Sequence, residues 1–290
     1  MNFIKKWMII AKFWTFPINI LPLTVGAILH ISSFDYILYF IMAIGLVSAN
    51  FLANILNDIF DYRHGVDKLT DIAVVKRIHP LLTGMASEKQ LIKASLILFT
   101  VSLLCGVYIA LIRGIVIIFA GIFGAAVAFF YTASRRSIKS LGLGEVFVFI
   151  VYGPVITIAA NFVESGKFSF IAMVASIPIG MIIAMILLAN NIRDIKADSD
   201  AGVKTLVVRI GEKSAKKLFY VLIVAIYVIA IAMFQYRLVS RYVVITLLSA
   251  PYAYMLVGKI ASKRIPHNVA EIASRFAVVF GSLFIIGIML

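Results

Sequence analysis

The chain has 290 residues, 63% of them hydrophobic, a formal net charge of +14 and a mean hydropathy of +1.07. Only 14% of its residues are charged, against about a quarter in a soluble globular domain, so an ordinary soluble fold is excluded. The apolar residues fall in blocks long enough to cross about 30 Å of hydrocarbon as helix, and the absence of short alternating segments excludes a membrane β-barrel.

The reading is therefore all-α: a single polytopic membrane domain over residues 1–290. The N-terminal run "MNFIKKWMIIAKFW" places basic residues before an apolar block but has no small-residue cleavage site, so the first helix is expected to be retained. Nine transmembrane helices are expected, near 14–31, 36–57, 91–110, 114–132, 144–162, 169–190, 217–235, 241–257 and 272–290. The breaks at 32–35, 111–113, 163–168 and 236–240 are short, whereas those at 58–90, 133–143, 191–216 and 258–271 are longer and basic. The lone cysteine, Cys105, lies inside an apolar block and reads as a packing residue.

Charge fixes the expected orientation. Arg113, Lys167, Arg237 and Arg241 fall on one side, and every other Lys and Arg falls on the side of the N-terminus and the long loops. The positive-inside rule then puts the N-terminus and those loops in the cytoplasm. The basic excess is mostly topology, and with no separate basic domain a nucleic-acid-binding role is excluded. Of the acids, only Asp35 and Glu164 lie clearly on the far side, so any chemistry is expected to face the cytoplasm.

Two acidic clusters sit at the ends of the second and sixth predicted helices. In "ANILNDIFDYRHGVD" (53–67), Asn54, Asn57, Asp58 and Asp61 recur at steps of three and four, followed by Asp67; in "NNIRDIKADSDAGVKTL" (190–206), Asn190, Asp194 and Asp198 step by four. Such spacing gathers side chains near one helix face. Both clusters then reach a glycine, Gly65 or Gly202, a weak hint of an internal repeat. Alone, either cluster reads equally as a solvated helix end. Acids at a helix C-terminus oppose the helix dipole, however, and two such clusters on one membrane side favour a ligand. Carboxylate and amide oxygens suit Mg²⁺, which typically takes one or two protein carboxylates and completes its shell with water and phosphate oxygens. One Cys and four scattered His argue against zinc. Cations lie nearby in "KRIHPLLTG" (76–84), in "YTASRRSIK" (131–139), and at Arg193 and Lys204; as a set they fit the oxygens of a diphosphate.

"NDIFDYRHGVD" (57–67), "YTASRR" (131–136) and "NNIRDIKADSDAGVKTL" (190–206) resemble the motifs of the UbiA superfamily of intramembrane prenyltransferases. "LGLGEVFVFIVYGPV" (141–155) and "GVKTLVVRIG" (202–211) look most like its menaquinone-pathway branch, the 1,4-dihydroxy-2-naphthoate polyprenyltransferases. Two departures stand out. Lys12-Phe13-Trp14-Thr15-Phe16-Pro17 replaces the branch's Arg-Pro-x-Thr-Leu-Pro, and Arg136 occupies the position of the Lys five residues after the family's Tyr. The resemblance implies Mg²⁺-dependent transfer of a polyprenyl group from a prenyl diphosphate, whose tail lies among the helices, to an aromatic acceptor, with loss of a carboxyl group in the naphthoate branch. It assigns Asn57, Asp58, Asp61, Asp67, Asp194 and Asp198 to metal and catalysis. Lys12, Arg77, Tyr131, Arg136, Asn190, Asn191, Arg193 and Lys204 are assigned to substrate, and Glu145 is a further site candidate. The rivals are the same chemistry on 4-hydroxybenzoate or on a glycerol phosphate lipid, and an ion-coupled transporter. Against the transporter, the acids cluster at one face and not at the midplane.

Overall fold

A computed structural model describes residues 2–31, 34–65, 79–133 and 137–290, and all regular structure among them is helical. Eleven helices follow in order. They are α1 (Phe3–Ile10), α2 (Phe16–Ile28), α3 (Tyr36–Arg63), α4 (Glu88–Arg113), α5 (Val116–Phe130), α6 (Gly144–Ser165), α7 (Phe170–Asp200), α8 (Leu206–Ile210), α9 (Glu212–Gln235), α10 (Arg241–Ala261) and α11 (Val269–Met289).

Seven of these are long and apolar enough to span a bilayer: α3, α4, α6, α7, α9, α10 and α11. The first expected helix is instead two segments bent by 55°, α1 and a unit running from Phe13 to Ile28. The break falls at Lys12, which takes a left-handed conformation (φ 54°) that side chains of L-residues seldom adopt. The fourth expected span, α5, has 15 residues, or about 22 Å of helix, less than the hydrocarbon thickness. Length and composition thus support a multi-pass membrane protein with seven spans, or eight counting the bent pair.

The two acidic helices overrun their apolar blocks. Expected to end near 57 and 190, α3 continues to Arg63 and α7 to Asp200, so both acid clusters ride on intact helix. Each helix is followed by a glycine in the left-handed region, Gly65 (φ 68°) and Gly202 (φ 72°), a common way to close a helix C-terminus.

The main core is built by α7, α9, α10 and α11 with one face of α2; Phe219, Phe276, Phe280 and Phe284 are fully buried there. α3 packs along α4 at one flank. Leu104, Leu111, Ile122 and Val224 stand exposed, as expected of side chains facing lipid.

What positions the site is the crossing of α6 and α7. α6 carries a π-helical segment, Val151–Val155, around Pro154, and Gly153 there meets Gly180 of α7 backbone to backbone. A Cβ at Gly180 would lie 2.9 Å from both the Gly153 Cα and the Phe149 carbonyl oxygen. Backbone cannot yield to so close a contact, so Gly180→Ala must separate the helices. The expected result is a lower melting temperature in detergent, by an overpacking cost of about 1–3 kcal/mol, read by thermal unfolding. An unchanged Tm would show that the crossing is not tight.

Candidate active site

The acid clusters of α3 and α7 meet at one end of the bundle. Asp61 and Asp198 are 6% and 8% exposed, and the Lys139 ammonium lies between them, 3.9 Å from Asp61 Oδ2 and 4.0 Å from Asp198 Oδ1. These distances are ionic contacts, too long for direct hydrogen bonds. Lys139 sits in the 131–143 connection between α5 and α6. A turn holds it there: the Ser137 hydroxyl accepts from the Ser140 N–H at 3.2 Å, and Gly142 (φ 72°) packs against the Arg209 side chain. Arg209 in turn donates to the carbonyls of Ser140 (3.1 Å) and Lys204 (2.9 Å), tying the loop after α7 to the loop before α6.

Sequence reasoning included Lys139 only within the basic run 131–139 and did not single it out. It stressed Arg136, which lies outside the described residues together with Asp67 and Arg77. The available signal was a lysine in a short polar loop on the same side as both acid motifs.

The other expected residues divide into groups. Asn57, one turn before Asp61, accepts at Oδ1 from the Thr132 hydroxyl at 2.7 Å, which brings the start of the 131–143 connection against α3. Asp58, 1% exposed, accepts from the Lys12 ammonium at 2.8 Å, so these two residues meet each other and fasten the N-terminal segment onto α3. Asn54 joins the same seam, donating to the Ala11 carbonyl (3.1 Å), and Asn50 donates to the Tyr152 hydroxyl of α6 (2.7 Å). Asp194 pairs with its neighbour Arg193 at 2.6 Å, and Arg193 also donates to the His267 carbonyl at 2.8 Å. Lys204 is exposed on the turn after α7. Asn191 donates to Glu145 Oε1 at 2.8 Å.

Tyr131 caps α5. A Cβ at Gly144 would stand 3.0 Å from its hydroxyl, so the glycine makes room for the phenol. Burial, then the carboxylates of Glu145, Asp61 and Asp198, raise the Tyr131 phenol well above its ordinary range. It therefore stays a neutral hydrogen-bond donor at neutral pH.

Among the described residues, no group of three or more His, Cys, Asp or Glu is arranged to hold a metal by itself. The donors present nonetheless fit a hard cation. Two carboxylates approach from different helices, and Asp198 Oδ2 and Asn190 Oδ1 are buried with no hydrogen-bond partner. Buried acceptors left open in this way fit a cation or hydrogen-bond donors supplied by a ligand, and magnesium needs only one or two protein carboxylates when phosphate oxygens supply the rest.

Two acidic helix ends thus converge on a lysine at one end of a helical bundle whose long apolar helices suit a membrane. The model of the UbiA prenyltransferase family matches residues 19–284, and the chain belongs to that family. It is 25% identical over 281 residues, covering 95% of this chain and 89% of the relative, to 1,4-dihydroxy-2-naphthoate octaprenyltransferase of Bacillus subtilis. It is 28% identical over 297 residues, covering 96% and 85%, to UbiA prenyltransferase domain-containing protein 1 of Dictyostelium discoideum. In fold it is similar to a UbiA homolog from Archaeoglobus fulgidus bound to GPP and Mg²⁺, with a TM-score of 0.69 at 14% identity over 98% of this chain and 100% of that one. The protein is a prenyltransferase with the fold that these relatives share.

Proposed function

We propose that the chain transfers a polyprenyl group from a prenyl diphosphate to 1,4-dihydroxy-2-naphthoate, using Mg²⁺, at a site facing the cytoplasm. The observation that supports this is the meeting of Asp61 and Asp198 about Lys139. The naphthoate octaprenyltransferase of B. subtilis, matched over nearly the whole chain, supports the choice of acceptor. Nine spans follow if the bent pair and α5 each cross the bilayer, and the basic loops then place the N-terminus in the cytoplasm.

Asp61 and Asp198, with Asn57 and Asp194 one turn before each, would hold the Mg²⁺, which would supply positive charge to neutralise diphosphate oxygens. Lys139 and the Tyr131 hydroxyl donate to the remaining oxygens, with Arg193 and Lys204 as further cations at the same end; Arg77 and Arg136, outside the described residues, are assigned to the diphosphate by the family resemblance alone. Breaking the allylic C–O bond leaves the electron pair on the diphosphate, which these donors stabilise. The electron-rich ring carbon that bears the carboxylate attacks the allylic carbon, and cleavage of its C–CO₂⁻ bond releases CO₂ and returns the electron pair to the ring, restoring aromaticity. The apolar tail lies among helices and lipid, where burial costs nothing, and exclusion of water there limits hydrolysis of the cation.

An acceptor panel tests this reading. Purified protein with Mg²⁺ and a prenyl diphosphate is expected to give a prenylated, decarboxylated naphthoate product by mass spectrometry. Product only from 4-hydroxybenzoate or a glycerol phosphate lipid would move the acceptor. No product from any acceptor would sink the reading.

A further inference from the structure

Glu145 is the second residue of α6, in the run Leu141-Gly-Leu-Gly-Glu145, and is 7% exposed. Its Oε1 accepts from Asn191 Nδ2 of α7 at 2.8 Å, whereas Oε2 is buried with no hydrogen-bond partner. No Lys or Arg forms an ion pair with it among the described residues. A buried carboxylate is normally satisfied at both oxygens, so this half-satisfied group needs a physical reason.

Its surroundings supply one. The Tyr131 hydroxyl stands 3.0 Å from the Cβ position of Gly144, the residue before Glu145, and Thr132, the residue after Tyr131, donates to Asn57 one turn before Asp61, which puts this end of α6 beside the acidic end of α3. Leu187 and the Tyr131 ring both come within 3.5 Å of the point where a Gly144 side chain would begin, adding apolar surface. This corner therefore offers one bare acceptor oxygen, Glu145 Oε2, beside apolar carbon. A phosphate or carboxylate brought there would be repelled. An O–H donor on an otherwise apolar body matches both features.

We propose that Glu145 orients the acceptor: Oε2 accepts a hydrogen bond from a ring hydroxyl of a hydroxyaromatic substrate, with Asn191 fixing the carboxylate. The proposal rests on the aromatic-acceptor reading above and deepens it, because it turns the hydroxyl edge of the ring toward α6 and keeps the ring's own carboxylate away. It also disfavours acceptors whose recognised group is a phosphate.

The test varies acceptor and prenyl diphosphate separately, using the full chain in detergent. Glu145→Gln preserves shape and can keep the Asn191 contact while removing the charge. The expected result is an acceptor KM raised roughly tenfold to a hundredfold, as for loss of a hydrogen bond to a charged group, with the KM for prenyl diphosphate unchanged. The wild-type protein should show a similar loss on the mono-methyl ether of one ring hydroxyl, and on that ether Glu145→Gln should cost nothing further. An unchanged acceptor KM in Glu145→Gln, or the same loss on hydroxyl and ether substrates, overturns the proposal. If the variant fails to fold, wild-type protein that uses both mono-methyl ethers as well as the parent overturns it. In each of these cases wild-type prenylation of the naphthoate still stands. Wild-type protein that prenylates no hydroxyaromatic overturns the functional reading itself, and this proposal with it.

Discussion

Asp61→Asn and Asp198→Asn, made separately, are each expected to lower kcat by roughly a thousandfold or more, the scale at which a preorganised electrostatic contact or metal ligand acts. The two substitutions keep side-chain shape and remove one negative charge. Their effect on stability has the opposite sign. Asp61 and Asp198 are both nearly buried and share one ammonium at 3.9 and 4.0 Å. Neutralising either carboxylate relieves like-charge repulsion and lowers the desolvation cost, while Lys139 keeps the other partner. Without Mg²⁺ the Tm should therefore hold or rise as activity vanishes, the trade-off typical of residues kept for function. Thermal unfolding with and without Mg²⁺ and prenyl diphosphate gives an independent reading: the stabilisation that ligand confers on the wild type should be lost in both variants. Near-normal turnover in either variant would remove that residue from the metal site.

What was legible of these two acids was the helix face each occupies, because helical periodicity is a local property. Steps of three and four from Asn54 to Asp61, and of four from Asn190 to Asp198, set the faces before any tertiary structure is known. Hydropathy was less informative about where helices end. It stops counting when charges begin, yet α7 runs on to Asp200 because Arg193, Lys196 and Ala197 are sound helix formers. The division of the first helix was hidden for a different reason. Lys12 takes its left-handed conformation while its ammonium reaches Asp58, 46 residues away, a long-range pairing that no local pattern encodes. Asp58 was assigned on spacing and resemblance and Lys12 on resemblance alone; that the two pair with each other could not be read from either. The open oxygen of Glu145 was also out of reach, since it depends on how α6 and α7 cross at Gly153 and Gly180.

Lys139→Met is the second substitution expected to have a large effect, and it separates the lysine's two roles. In the unliganded fold the ammonium stands between two carboxylates, and its side chain is 20% exposed. Removing it leaves Asp61 and Asp198 facing each other without that cation, so the Tm without Mg²⁺ should fall. Adding Mg²⁺ should then raise the Tm more in the variant than in the wild type, because the ion no longer competes with a resident ammonium for the same oxygens. During turnover the ammonium is expected to turn toward the diphosphate, where a charge-assisted hydrogen bond forms. Its loss should raise the KM for prenyl diphosphate roughly tenfold to a hundredfold and leave the acceptor KM alone, the mirror image of Glu145→Gln. Lys139→Arg should restore part of the stability through its charge and less of the activity, because a planar guanidinium does not reproduce the point charge of an ammonium. A variant whose Tm falls with no change in donor KM would reduce Lys139 to a structural counterion. A variant with unchanged Tm and a raised donor KM would show that the lysine serves the diphosphate alone.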